Sequence, residues 1–311
     1  MIQEKMIISN LKTKISRALF CFMFLFFANA QEEKDKANLQ LLELFNEWRS
    51  FEIPPLNEGV PDYSKNTFDI RFKQYKKLRN KLESFSIDLW PVKDKVDWYL
   101  LWAEMNGYLF NYKILKPWER DPAFYKSIWT YKSDVPAHEG PTPHFTVELW
   151  QYNFPLNKKD RIKLLSSLEL IPKFNKQAKK NLTGNARDLW IAGIRDIEKQ
   201  SKTLEDLNFK PGVSIDKELV IQIKNAKDST DDFVKWLKKE AFKKNGPSGI
   251  GKENYTWYQQ NVHLVPMTWE DEVFLLKREL ARAWSSLKLE EHRNRKLPEL
   301  KPADSPSSYR K

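Results

Sequence analysis

The chain has a single cysteine, Cys21, among 311 residues, together with four histidines and only nine glycines. One thiol excludes an internal disulfide and a cysteine-built metal cluster. The four histidines are scattered, and no Gly-x-Ser-x-Gly elbow marks a hydrolase nucleophile. No internal repeat of fixed period is present, which excludes a solenoid or propeller. No apolar run approaches the roughly 20 residues that a membrane-spanning helix needs. Aromatic residues, by contrast, are plentiful: 12 tryptophans, 19 phenylalanines and 11 tyrosines stand against those few glycines. That balance predicts long packed elements with few tight turns. It leans helical.

The N-terminus reads as an address rather than as part of the fold. Lys5, Lys12, Lys14 and Arg17 precede the apolar run from Ala18 to Phe27, which is followed by Ala28-Asn29-Ala30. A basic head, a short hydrophobic stretch and a small-x-small site describe a secretory signal peptide, residues 1–30, and no stable membrane anchor. Bulky Phe20 before Cys21, and the apolar residues after it, argue against lipidation there. Cleavage after Ala30 leaves a thiol-free chain that must be held by core packing, as expected of a periplasmic or secreted protein. Losing four bases and Glu4 lowers the formal charge from +11 to +8. The densest basic stretch, Lys235 to Lys244, spaces its lysines around Trp236, Leu237, Ala241 and Phe242. This is the solvated face of a helix, and no nucleic-acid partner is expected.

Along the mature chain, apolar residues recur at steps of three and four, and few stretches alternate. Phe68, Phe72, Tyr75, Leu78, Leu82 and Phe85 trace one helix. After Pro91, two lines (Val96, Leu100, Ala103, Gly107, Phe110, Ile114 and Trp98, Leu101, Met105, Leu109, Tyr112) predict a central helix buried on most sides. Ile162, Leu165 and Leu168 lead into a helix broken or kinked at Pro172 and continued by Phe174, Ala178 and Leu182. Leu189, Gly193 and Ile197 give another, and Phe233, Leu237 and Ala241 another. The last opens with Thr268 as N-cap and Glu270, Asp271 and Glu272 in its first turn, with Val273, Leu276, Leu280, Ala283 and Leu287 as its expected buried line. The fold class is therefore all-α: a multi-helix, bundle-like or orthogonal array covering 31–296. Two long irregular loops interrupt it, Pro117 to Pro143 and Gly246 to Pro266. The tail, 297–311, carries the helix-start pair Ser305-Pro306 only five residues before its end.

Three stretches suggest chemistry. Gly246-x-x-x-x-Gly251-Lys252 has the frame of a P-loop, but Glu253 occupies the magnesium-binding hydroxyl position and a lysine-studded helix precedes it. No nucleotide is expected. His138-Glu139 and His144 resemble a zincin motif in composition, yet a helix carrying both histidines on one face cannot run through Pro141 and Pro143. The segment Lys252 to Pro266 alternates polar groups with large rings. It reads either as a loop packed by its own aromatics or as the border of a ligand cleft, with Lys252, Tyr255, Tyr258 and His263 as candidate substrate contacts. No catalytic residue and no metal ligand is assigned.

Several blocks together resemble a known family. Gly246-Pro247-Ser248-Gly249 through Tyr258, Asn261 to Pro266, Thr268 to Val273 and Arg278 to Ala283 are similar to a branch of the bacterial domain of unknown function 885 family. Trp118 to Pro122 with Tyr125, and Leu168, Ile171 and Pro172 with Asn181-Leu182, fit its first half. The resemblance runs from about Leu41 to the end of the chain. It implies a helical, zinc-metallopeptidase-like fold whose metal motif lies in a second half beyond this chain. On that reading zinc is expected in the full-length family and no cofactor here. The chain would be an N-terminal half, inactive alone, bordering a peptide cleft and completed by a second chain; the alternative is a non-catalytic exported binding protein for a peptide or small ligand.

Overall fold

A computed structural model describes residues 39–132, 144–298 and 304–309. The described residues fall into two compact units divided between Ile250 and Gly251. Both are helical, as the periodicity predicts.

The first unit opens with helix α1 (residues 39–52). The two-residue strands β1 (Leu56–Asn57) and β2 (Val60–Pro61) follow, pairing antiparallel. Helices α2 (Lys65–Glu83) and α3 (Val92–Phe110) come next, and a π-helical stretch, Asn111–Leu115, prolongs α3. A single turn α4 (Pro117–Arg120), a 3-10 turn Pro122–Tyr125 and the parallel pair β3 (Ile128–Trp129) and β4 (Val147–Glu148) lead to the long helices. These are α5 (Lys158–Asn181), α6 (Arg187–Leu207) and α7 (Lys217–Ala241). The second unit holds α8 (Lys252–Asn261), α9 (Trp269–Arg293) and the single turn α10 (Pro306–Tyr309).

Local chemistry sets most helix starts. Ser64, Asn157, Asp216 and Thr268 each present a side-chain oxygen to the backbone N–H three residues on, satisfying an orphan donor of the first turn. At α9 the Asp271 carboxylate returns the favour to the Thr268 N–H, completing a capping box. Helix α6 is different: Ala186 stands at its N-cap and offers no such oxygen.

The core forms where the three- and four-residue steps of α5, α6 and α7 meet. Leu164, Leu168, Ile171, Phe174 and Ala178 of α5 are fully buried. They face Trp190, Ile197 and Leu204 of α6 and Ile223, Ala226, Phe233 and Leu237 of α7 in one cluster. Gln200 reaches out of that core, its side-chain oxygen accepting from the backbone N–H groups of Ser127 (2.7 Å) and Ile128 (3.1 Å). Tyr125 is fully buried; its hydroxyl donates to the Trp118 carbonyl at 2.9 Å and accepts from Asn181 at 3.1 Å. A second cluster joins Leu44 and Trp48 of α1, Tyr75 and Leu82 of α2, and Leu101 and Met105 of α3.

Four expectations need correction. Helix α3 is buried on both lines only in its second half: Val96 and Leu100 at the start of the first line are exposed, while Ala103 and Phe110 further along it, and Trp98, Leu101 and Met105 of the second line, are buried. Of the break or kink expected at Pro172, the break does not occur: α5 continues through it, because losing one backbone donor costs less than the buried face on both sides contributes. The two presumed loops contain helix: α4 and the 3-10 turn each start on a proline, which is preset for a first helical position, and α8 occupies Lys252–Asn261. Finally, no described residue of α9 is buried, and Leu276, Leu280 and Leu287 lie exposed.

Candidate functional site

The Gly246–Ser248 block is built as a clasp. Ser248 Oγ accepts from the backbone N–H of Asp188 at 2.8 Å and of Leu189 at 3.2 Å, so it caps α6 from 60 residues away. This supplies the oxygen that Ala186 lacks. The Gly246 carbonyl accepts from Arg187 N–H at 3.1 Å, and Asn185 Oδ1 accepts from the N–H groups of Asn245 (2.7 Å) and Gly246 (2.9 Å). Arg120 donates to the carbonyls of Pro247 (3.3 Å) and Ser248 (3.1 Å). Only glycine fits at the centre, because a Cβ on Gly246 would stand 2.2 Å from the Asn185 carbonyl oxygen. Lys244 completes the joint, donating to the Gly184 carbonyl at 2.8 Å with its ammonium 4.2 Å from the Trp190 ring centre. The residues that resemble a P-loop therefore follow a helix rather than a strand, and their polar atoms are committed to the fold.

The four candidate contact residues gather on and just beyond α8. Lys252, Tyr255 and Tyr258 recur at three-residue steps, and Gly251 begins the helix with φ +82°, a left-handed value that favours glycine. Lys252 lies 3.8 Å from the Trp269 ring centre and 3.5 Å from the Glu270 carboxylate. The Tyr255 hydroxyl donates to Glu272 and accepts from Gln259 at 3.1 Å. Gln259 Oε1 is 3.2 Å from His263 Nδ1, and the His263 ring meets Tyr258 edge-on at 4.9 Å. Hydrogen bonding to the Glu272 carboxylate raises the Tyr255 phenol above its usual range, since deprotonation would set two negative charges together. Of the four residues expected to contact a ligand, Tyr255 and His263 are joined through Gln259, Tyr258 meets the His263 ring edge-on, and Lys252 stands apart against Trp269 and Glu270. The sequence alone does not mark Gln259, which bridges Tyr255 and His263, or Glu272, which accepts from Tyr255; the spacing of four between Tyr255, Gln259 and His263 is the signal that shows the bridge once α8 is known to be a helix.

A separate cleft of about 680 Å³ lies beside the C-terminal end of α1, lined by Ser50, Phe51, Ile53, Ile70, Arg71 and Lys77 among others. Its buried cation is already used. Arg71 donates to the carbonyls of Phe51, Glu52 (3.2 Å) and Ile53 (3.1 Å) and stacks over the Phe51 ring at 4.5 Å, closing the open end of α1.

Among the described residues, no group of three or more His, Cys, Asp or Glu side chains is placed to hold a metal ion. His138 and Glu139 lie outside the described residues; His144 is described, with its backbone N–H donating to Tyr63 Oη at 3.0 Å. Among the described residues, the donors present do not make up a zinc centre, whose motif the family resemblance places beyond this chain. No described helix is long and apolar enough to cross a membrane.

No family model and no curated protein matches the sequence. Among solved structures, a lipoprotein candidate of unknown function from Shewanella oneidensis is similar in fold, with a TM-score of 0.52 at 17% identity. The similarity covers 89% of this chain and 50% of that one, so the chain spans about half the length of the protein it resembles.

Proposed function

We propose that this chain is the N-terminal, non-metal-binding half of a helical, zinc-metallopeptidase-like protein of the domain of unknown function 885 family, exported to the cell envelope and inactive as a peptidase by itself. The observation that carries the reading is the half-length match: nearly the whole chain superposes on half of a larger protein. The blocks around Gly246–Tyr258 and Arg278–Ala283 support the family, and a basic head, apolar run and Ala28-Asn29-Ala30 support export. The lipoprotein character of the similar structure agrees with an envelope location. In this half, Ser248, Asn185 and Arg120 hold the scaffold, and the string from Lys252 to His263 borders the peptide cleft that a second half would close. The alternative, a non-catalytic binding protein, uses the same string for a peptide or small ligand and needs no second half.

The test is a metal analysis and a peptide-hydrolysis assay on the purified mature chain, beside a reading of the codons that follow Lys311. Substoichiometric zinc, no hydrolysis, and a downstream His-Glu motif followed by His-His are the expected results. Stoichiometric zinc in this chain, or hydrolysis abolished by a zinc chelator, overturns the reading. A downstream sequence without such a motif favours the binding protein.

A further inference from the structure

The cleft beside the C-terminal end of α1 shares no residue with the Lys252–His263 string, and its lining comes from the first unit alone. Helix α2 contributes Thr67, Ile70, Arg71, Gln74, Lys77 and Leu78, which are spaced as one helical face. At about 1.5 Å per residue that face is about 16 Å long. Phe51, Ile53 and Pro55, at and beyond the end of α1, add apolar surface. The cleft volume of about 680 Å³ is typical of a small-ligand site.

Charge selects the ligand. Arg71 lines the cleft and is only 7% exposed. Its bonds to the carbonyls of Phe51, Glu52 and Ile53 occupy three of a guanidinium's five N–H donors and leave two without an acceptor among the described residues. Those carbonyls are neutral groups, and the end of a helix offsets only about half a unit charge. Lys77 adds a second cation, with no carboxylate paired to it among the described residues. The acid in the wall, Glu47, is neutralised by Lys81 at 2.6 Å. The cleft therefore presents an excess of about one and a half positive charges beside apolar surface. The Gln74 amide, which has no hydrogen-bond partner among the described residues, can donate or accept. A cationic ligand would meet like charge here, whereas a single carboxylate matches both the excess and the spare N–H groups of Arg71. We propose that this cleft binds a small carboxylate with an apolar body, its charge on Arg71 and Lys77 and its body along Ile53, Ile70 and Leu78. A short peptide ending in an aliphatic residue and a medium-chain fatty acid share that chemistry. The site goes beyond the half-protein reading, since it needs no second half.

The experiment titrates the purified chain in a calorimeter with N-acetyl-leucyl-leucine and with decanoate, each beside its uncharged amide. At least one carboxylate should bind with a dissociation constant below about 1 mM, and its amide about tenfold more weakly or worse. Binding of the peptide alone identifies a peptide as the source, and binding of decanoate alone a fatty acid; either supports the inference. Ile70→Glu and Lys77→Gln should each weaken binding about fivefold or more. Ile221→Glu, on α7 and outside the cleft lining, should leave it unchanged. Arg71→Gln should abolish binding, but it also opens the end of α1, so the exposed positions decide the case. Circular dichroism of both cleft variants should match the parent chain, and Lys77→Gln decides alone if Ile70→Glu unfolds. Four results overturn the inference: no binding of either carboxylate, equal binding of carboxylate and amide, binding unchanged in a folded cleft variant, or equal loss in Ile221→Glu. The first of these is also the outcome if the chain itself fills the cleft.

Discussion

Ser248 shows how far a single hydroxyl can act from its own element. Two N–H groups at the start of α6 end on its oxygen, so Ser248→Ala removes the only side-chain cap seen there. Loss of such a cap typically costs about 1 kcal/mol, and a urea titration should show the midpoint falling with an unchanged slope. Gly246→Ala should cost more, because its new methyl would collide with the Asn185 carbonyl oxygen, a backbone atom that cannot swing aside. If the two variants prove equally stable, the clasp is looser than its geometry. Asp216 gives a second residue-scale expectation. It caps α7 and pairs with Arg161, whose guanidinium holds the carboxyl below its ordinary range. A carboxyl with a lowered folded pKa contributes stability that is present above its unfolded value, about 3.9, and lost as pH falls through the folded one. Asp216→Asn keeps a capping oxygen but cannot titrate. Its unfolding free energy should therefore fall less steeply than the parent's below about pH 4.

At the scale of elements, packing decided what the sequence could reveal. The stripes of α2 and α5, the first half of α6 and the last third of α7 were legible because each alternates a buried line with a charged face; the rest of the buried lines of α6 (Leu204, Leu207) and α7 (Leu219, Ile223, Ala226) was not read. Helix α8 was hidden because none of its ten residues is buried. Its Tyr255, Trp257 and Tyr258 are also indifferent helix formers, so no period announced it. Helix α9 misled in the other way. Its stripe is as regular as those of the core helices, yet none of its described residues is buried. The candidate string was half legible: the residues were visible, but Glu272 joins Tyr255 only through the α8–α9 pairing. The close approach of α6 to the 3-10 turn was invisible in the pattern. A Cβ on Gly193 would lie 2.7 Å from Pro122 and 2.8 Å from the Ala123 nitrogen. Gly193→Ala therefore trades better helix propensity for overpacking, and a net loss of about 1–3 kcal/mol is expected from thermal unfolding. A stabilised variant would show that the turn can retreat.

At the scale of the whole molecule, burial is uneven. The cluster shared by α5, α6 and α7 holds most of the fully buried side chains, whereas α8 and α9 hold none among the described residues. Amide exchange of the isolated chain should follow that order, with α5–α7 slowest and α9 exchanging orders of magnitude faster. Comparable protection in α9 and α6 would mean that the α9 stripe is already covered. The clasp also has a topological consequence. Helices α6 and α7 are joined covalently through the turn around Phe209 and Ile215, both more than 80% exposed. At the far end Asn185, Arg187 and Asp188 are tied to Asn245, Gly246 and Ser248. The pair is thus a circuit closed twice, once by peptide bonds and once by hydrogen bonds. A protease nick at the Phe209–Ile215 turn should leave a two-fragment molecule that still migrates as one and rejoins after mild denaturation.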